Sequence, residues 1–364
     1  MHSMDGAGLA AAAVHTTDRN LRQTACSVGL DPSYWYPVEF DSALRREQVT
    51  GVRFQDTSVA LFRDRDGELH AVEDRCAHRG VKLSQGFVEG CNLRCVYHGW
   101  TYAPDGKLCK IEHELFGKSL PSVKLKTFPV QVRYGLIWVF FGDPKLSKQR
   151  HVPEIPELES EQPWICIPRA CVWKAHPTMV VNNFIDSTHA ATLHNRNFWT
   201  RSLKVGAITQ CKVDSDRVLV RQEVEIDKTG LLEHAGPVLR TNIEDACYDY
   251  PYLWATVGEA FALWTLMLPL DRHTTKVFLL SLSDRVRIPF TPWLAPRWLQ
   301  RFVIPFCSRF LVGPLLDADG WSAELEQEGH GEYPSAPTID PHPAIRPCYQ
   351  LTVRKWQEHL ARDL

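Results

Sequence analysis

Cys76-Ala77-His78-Arg79-Gly80 and Cys95-Val96-Tyr97-His98-Gly99-Trp100 are the two stretches on which the reading of this chain turns. Sixteen residues separate His78 from Cys95, so a Cys-x-His and a Cys-x-x-His segment each offer one thiolate and one imidazole. Four donors of this kind make a metal site. A structural zinc knuckle is one reading, because two cysteines and two histidines satisfy tetrahedral zinc.

Two features favour a Rieske [2Fe–2S] cluster instead. Each half pairs one sulfur with one nitrogen, as required when cysteines hold one iron and histidines the other. Gly80 and Gly99 follow the donors at the points where tight loops must wrap an inorganic core. Neutral imidazoles raise the potential of such a cluster to about −150 to +300 mV, which suits the relay of single electrons. Cys91 is a rival donor, but it lacks the following x-x-His and is read as a non-ligand.

Working outward, the next informative stretch is Asn182-Asn183-Phe184-Ile185-Asp186-Ser187-Thr188-His189-Ala190-Ala191-Thr192-Leu193-His194. It contains Asp-x-x-His-x-x-x-x-His. Two histidines and a carboxylate form the facial triad of non-haem Fe(II) oxygenases, which leaves coordination positions open. On a straight α-helix His189 and His194 sit roughly 140° apart. Both imidazoles reach one metal only if the helix distorts, so a π-type bulge is expected near 189–194. Core histidines with ordinary partners are the plain alternative for either residue alone.

The chain has 364 residues, 44% of them hydrophobic and 23% charged, and a net charge of −2. Broad basic surfaces for nucleic acid are therefore not expected. The N-terminus lacks the basic start and apolar core of a secretory signal. No run of 18 uninterrupted apolar residues suggests a spanning helix. Eleven irregularly spaced cysteines do not read as a disulfide framework, and a cytoplasmic location is expected. Short strands are expected at Thr57–Phe62, Leu69–Val72, Leu136–Phe141, Val213–Ile226, Ala260–Leu268 and Lys276–Leu282. Helices are expected over 179–197 and Tyr349–Arg362. Strands following strands with a few long helices give an α+β class. The expected division is a flexible leader at 1–33, a cluster domain at 34–145 and a catalytic domain at 146–364, with a Pro- and Glu-rich linker at His151–Pro163.

With these residues in view, the chain resembles the oxygenase α subunits of Rieske non-haem iron oxygenases, especially those that act as monooxygenases and demethylases. Trp35-Tyr36-Pro37, Cys-x-His-Arg-Gly, Cys-x-x-His-Gly-Trp and Asn-x-x-Asp-x-x-His-x-x-x-x-His carry the resemblance. It implies an all-β Rieske domain and a helix-grip (START-like) catalytic domain with an antiparallel sheet. It also implies a homotrimer in which Asp186 joins His189 to His98 of the partner subunit, with Asn183 and Asp186 as catalytic residues. The cluster ligands are then Cys76, His78, Cys95 and His98, and the iron ligands His189, His194 and a downstream aspartate. Asp319 fits that frame, with Glu324 and Gln327 following; Asp317 is the runner-up, and Gly320 departs from the usual pattern.

The resemblance implies hydroxylation or demethylation of an organic, apolar or bulky substrate with O2. Desaturation or oxidative cyclisation is the alternative outcome at the same iron. An electron carrier or a zinc-stabilised binding protein is the alternative of another class. No glycine-rich dinucleotide fingerprint is present, so NAD(P)H is expected to act through a separate reductase or ferredoxin. Residues 285–316 are unusually apolar and aromatic. A membrane-surface contact or a greasy substrate entry is one reading, with Arg297 and Arg301 on a shared face. A helical flap over the catalytic sheet is the favoured one, because Pro292, Pro296 and Pro305 interrupt a long amphipathic helix. His176 and His234 are read as structural.

Overall fold

Leu136-Ile137-Trp138-Val139-Phe140 has no polar face to offer water, and the chain buries all five residues in a central strand. The computed structural model describes residues 21–112, 120–194, 203–226, 242–285, 288, 291, 293–334, 336 and 338–362. The start of the leader, His234 and Pro292 lie outside those residues, as do the side chains of Arg297 and Arg301.

Two units are distinct. The first spans Asp31–Pro153 with residues 268–271. Its strands are β1 (Trp35–Phe40), β2 (Gln48–Phe54), β3 (Thr57–Arg63), β4 (Leu69–Glu73), β5 (Phe87–Glu89), β6 (Asn92–Arg94), β7 (Thr101–Tyr102), β8 (Leu108–Lys110), β9 (Val130–Arg133) and β10 (Leu136–Phe140). They form three small antiparallel sheets in the orders β1-β10-β9, β2-β3-β4 and β5-β6-β7-β8. Val88, Leu93, Trp100, Tyr102 and Leu108 from the last sheet and its loops bury a core that also contains Cys76 and Cys95.

The second unit holds the rest of the chain. In order come β11 (Ile165–Trp173), α1 (Pro177–Ile185), α2 (Ala190–Leu193), β12 (Leu203–Val213), β13 (Arg217–Ile226), β14 (Ile243–Asp249), β15 (Tyr252–Val257), β16 (Phe261–Asp271) and β17 (Thr274–Ser283). Then follow α3 (Arg297–Cys307), α4 (Gly313–Glu332) and α5 (Ile345–Arg362). The strands make one sheet in the order β11-β17-β16-β15-β14-β13-β12. Helix α5 buries Ile345, Cys348, Tyr349, Thr352, Lys355 and His359, spaced three or four apart, so one stripe faces the core. Tyr248 on β14 meets Thr352 of that stripe at 3.1 Å. An antiparallel sheet packed on a long helix is the α+β arrangement expected of the catalytic domain.

Three expectations need correction. The helix read over 179–197 stops at Ile185, because Asp186 leaves helical geometry (φ −94°, ψ 84°). The chain restarts as a 3-10 turn at Ser187–His189 and then α2. Val213–Ile226 is not one strand: Val213 ends β12, Asp214–Asp216 turn, and β13 begins at Arg217. Arg217 Nε donates to Asp214 Oδ2 across that turn at 2.9 Å. Finally, residues 21–30 are not a loose leader. Ala25 and Leu30 are fully buried in effect, and Arg22 pairs with Glu326 at 2.8 Å.

His176 links that segment to the start of α1. Its Nε2–H donates to the Val28 carbonyl at 3.0 Å, and its Nδ1 accepts from the Thr178 amide at 3.1 Å. The ring thus caps the helix as a neutral tautomer. Burial pushes its pKa down to about 4. A protonated Nδ1 would point a second N–H at the Thr178 amide. Between pH 6.5 and 4 the unfolded chain binds the proton more tightly than the folded one, so stability falls as pH drops through that window. The expected loss is about 1.4 kcal/mol per pH unit and about 3 kcal/mol in all. Urea unfolding across pH 4–7 checks it: His176→Asn keeps a capping acceptor and should lose this part of the slope.

Candidate functional site

The first donor set lies on two turns of the N-terminal unit. Gly80 N–H donates to the Cys76 carbonyl at 2.8 Å, and Gly99 N–H to the Cys95 carbonyl at 3.2 Å. Both glycines have positive φ, +73° and +67°, a backbone that a side chain would strain. The turns bury Cys76 and Cys95 to 2% exposure each. His78 and His98 face each other with ring centroids 4.6 Å apart. Trp100 stacks flat on His78 at 4.8 Å and fixes that ring. Val96, Tyr97 and His98 are exposed, so the sulfurs sit inward and the imidazole edge outward. Two buried sulfurs beside two adjacent imidazoles fit the asymmetric donor set of a Rieske cluster. Cys91 turns elsewhere, with its thiol donating to Asp66 Oδ2 at 3.4 Å.

Tyr102 is a neighbour the motif did not predict. Its hydroxyl lies 3.3 Å from Cys76 Sγ and accepts from the Ala77 amide at 3.0 Å. Burial pushes the phenol pKa up, so it stays protonated and donates to the sulfur.

The second donor set assembles across the catalytic unit. His189 Nε2 and His194 Nε2 each lie 3.2 Å from Asp319 Oδ1. Adjacent donors about 2.1 Å from one octahedral ion stand ~3 Å apart, so each His–Asp pair has the spacing of neighbouring ligands, and all three ligand atoms lie within 4.8 Å of one another. His189 Nδ1 donates to the Asp186 carbonyl at 2.7 Å. Its Nε2 therefore carries the lone pair and faces a carboxylate oxygen. Two electron-rich atoms at that distance need a proton or a metal ion between them. Burial alone would raise the Asp319 carboxyl, yet with no metal bound a proton on the facing rings, hydrogen-bonded to the carboxylate, outweighs it and holds the pKa below the ordinary range.

The imidazoles converge without a π-type bulge. The break at Asp186 does the work instead: Asp186 Oδ1 accepts from the Thr188 amide at 3.1 Å and starts the 3-10 turn that aims His189. Asp317, two residues from Asp319, is exposed and lies 3.9 Å from Arg169. Next to Asp319, Gly320 packs tightly against β11. A Cβ there would stand 2.4 Å from Trp173 Nε1, so only glycine lets α4 press on β11 at this point.

Other clamps hold α4 in register. Asn183 Nδ2 donates to Ser322 Oγ at 3.1 Å, and that hydroxyl donates to the Asp319 carbonyl at 2.9 Å. Asn182 Nδ2 donates to Glu326 Oε1 and to the Tyr349 hydroxyl, both at 2.9 Å. Glu324 and Gln327 accept from the Lys174 and His176 amides, each at 2.9 Å. The sequence missed one buried cluster altogether. Gln222 on β13 and Glu244 on β14 are cross-strand partners, and Gln222 Nε2 donates to Glu244 Oε2 at 2.6 Å. Ser187 Oγ donates to the same oxygen at 3.3 Å, which ties the His189 turn to the sheet. Burial pushes the Glu244 carboxyl up, and its partners oppose that shift.

The Rieske [2Fe-2S] domain family matches residues 34–129. Over 344 residues the chain is 40% identical to a 4beta-methylsterol monooxygenase of Methylococcus capsulatus, across 93% of this chain and 92% of that protein. Its fold is similar to that of dicamba monooxygenase bound to dicamba, with TM-score 0.69 at 17% identity over 92% of this chain and 99% of the other. It is also similar to the fluorene-bound oxygenase in the ferredoxin complex of carbazole 1,9a-dioxygenase, with TM-score 0.68 at 18% identity over 93% and 95% of the chains.

Two outcomes follow from the contacts. Gly320→Ala should cost about 1–3 kcal/mol of stability and weaken metal binding at Asp319 while the cluster absorbance is unchanged; thermal melts and iron analysis check it. Tyr102→Phe should keep the cluster and lower its midpoint potential, because a hydrogen bond to sulfur stabilises the reduced form. Redox titration followed by EPR reads the direction.

Proposed function

Because this chain belongs to the Rieske oxygenase family of oxidoreductases, we propose that it is the terminal oxygenase of an electron-transfer system and hydroxylates a methyl group on a bulky, apolar, sterol-like substrate. The observation that carries this reading is the convergence of His189, His194 and Asp319 on one point, in a chain that also folds a two-Cys, two-His cluster pocket. The sterol-like class is supported by a relative that is similar over nearly its whole length and carries the name 4beta-methylsterol monooxygenase.

Cys76, His78, Cys95 and His98 would hold the [2Fe–2S] cluster, and His189, His194 and Asp319 the mononuclear Fe(II). When bound, the cluster supplies electrons one at a time and the iron supplies activation of O2. The chain's own residues do the rest. The Asp186 carbonyl fixes the His189 tautomer, so that Nε2 faces the metal position. Asn183 acts through Ser322 to keep Asp319 from sliding along α4. Gln222, Glu244 and Ser187 anchor the turn from the sheet side.

In this reading the enzyme is a homotrimer. Electrons cross from His98 of the partner subunit through Asp186 to His189. NAD(P)H acts through a separate reductase, and a ferredoxin partner is consistent with the ferredoxin complex of a similar fold. Oxidation of a methyl carbon consumes O2, two electrons and two protons and yields a hydroxymethyl group and water.

Anaerobic purification with iron, acid-labile sulfide and EPR measurements tests the metal assignment; a colourless zinc protein would sink it. Asp319→Ala should lose the mononuclear iron and all turnover of a 4-methylsterol, yet keep the Rieske EPR signal. Asp186→Ala should keep both metals, while cluster reoxidation in single turnover slows about 10–100-fold. Mass spectrometry of the sterol product decides the substrate class.

A further inference from the structure

The catalytic unit presents an exposed aromatic face, on an arginine-rich stretch, that lies outside the candidate iron site. Between Asp284 and Asp317 the chain has five arginines, at 285, 287, 297, 301 and 309, and no acidic residue, although its net charge is −2. In the same stretch Trp293 is 71% exposed, Trp298 67% and Phe302 59%. Trp298, Phe302 and Pro305 recur at helical spacing and share the outer face of α3. Just beyond, Phe310 is exposed and Arg309 lies over its ring at 5.8 Å.

The other face of α3 already holds the helix down. Val303 and Ala295 are buried with Ile167 of β11, and Leu299, Ile304 and Phe306 pack against them. The flap over the sheet therefore exists, and its outer aromatics remain largely exposed to water. Water-facing tryptophan and phenylalanine in a stretch rich in arginine and free of acidic residues is the composition of a helix that lies in a bilayer interface.

Lying and spanning can be told apart here. The helical run Trp298–Glu332 is long and apolar enough, by length and composition, to cross a membrane. Its second half is otherwise engaged. Asp319 faces two histidines, Gly320 presses on Trp173, and Glu324 and Gln327 bind backbone amides of the segment before α1. A five-residue π-helical turn, Ser308–Val312, separates that half from α3. Only the first half is free to meet lipid, and eleven residues cover about 16 Å, a flat contact and not a span.

We infer that the face from Trp293 to Phe310 docks the enzyme on an anionic lipid bilayer, with the aromatic side chains at headgroup depth and the net positive charge of the stretch complementing lipid phosphates. The attraction is electrostatic and apolar together, so it weakens in high salt and on zwitterionic lipid. The docking goes beyond the substrate reading and stands without it, because binding is read without turnover.

Co-sedimentation of the iron-loaded holoenzyme with vesicles tests it. One set is phosphatidylcholine alone, and the other contains about a third phosphatidylglycerol. The protein is expected to pellet with the anionic vesicles and to be released by high salt. The triple variant Trp293→Ser, Trp298→Ser, Phe302→Ser should lower that partition at least ~10-fold. Cluster absorbance and iron content, unchanged, show that it has folded. Wild-type protein that stays in the supernatant with both vesicles overturns the proposal, and so does a triple variant that pellets as well as the wild type. A variant that changes the molar mass of the assembly in solution, with vesicle partition unaltered, also overturns it and gives the face to a second copy of the chain.

Discussion

Two imidazole nitrogens are held 3.2 Å from one shared carboxylate oxygen in the catalytic unit, and that crowding is the constraint around which the unit is built. In low dielectric such an arrangement survives only if the frame is stiff and a cation is accepted. The frame supplies stiffness from four directions. Asp186 fixes one ring, Asn183 and Ser322 fix the backbone at Asp319, the Gln222–Glu244 pair anchors the turn, and Gly320 sets how closely α4 lies on Trp173. None of these contacts is worth much singly, since a hydrogen bond adds about 1 kcal/mol net. Together they leave the donors nowhere to relax.

The cluster pocket solves a similar problem by local means. Its donors come from two short turns with positive-φ glycines, and each turn is closed by its own backbone hydrogen bond. That difference governs what the sequence reveals. Cys76, His78, Cys95 and His98 are read from spacing because the geometry is made within a few residues of each donor. His189 and His194 are read almost as directly. The manner of their convergence is not, because a regular helix was extrapolated through Asp186, whose side chain ends one turn and caps the next.

The third donor lies at the far end of the chain, and local pattern leaves two aspartates open. Glu324 and Gln327 favoured Asp319 in the sequence, and both accept backbone amides that hold α4 in register. Gly320, a departure from the expected pattern, is where α4 packs closely on Trp173 of β11. Glu244 and Gln222 left no trace, because cross-strand pairing between β13 and β14 joins residues that share no motif. The fold class was legible from strand and helix order. The turn at Asp214–Asp216 and the burial of residues 21–30 depend on tertiary contacts and were not.

The engagement of residues 21–30 also orders events during synthesis. Ala25 and Val28 accept hydrogen bonds from Thr178 and His176, and Arg22 meets Glu326. These partners are translated some 150 and 300 residues later. The cluster-binding unit, by contrast, is nearly continuous from Asp31 to Pro153. It has most of its strands while the ribosome is still making the catalytic sheet. Residues 21–30 therefore find their partners only once α1 and α4 have been made, and closing that segment onto them completes the catalytic unit.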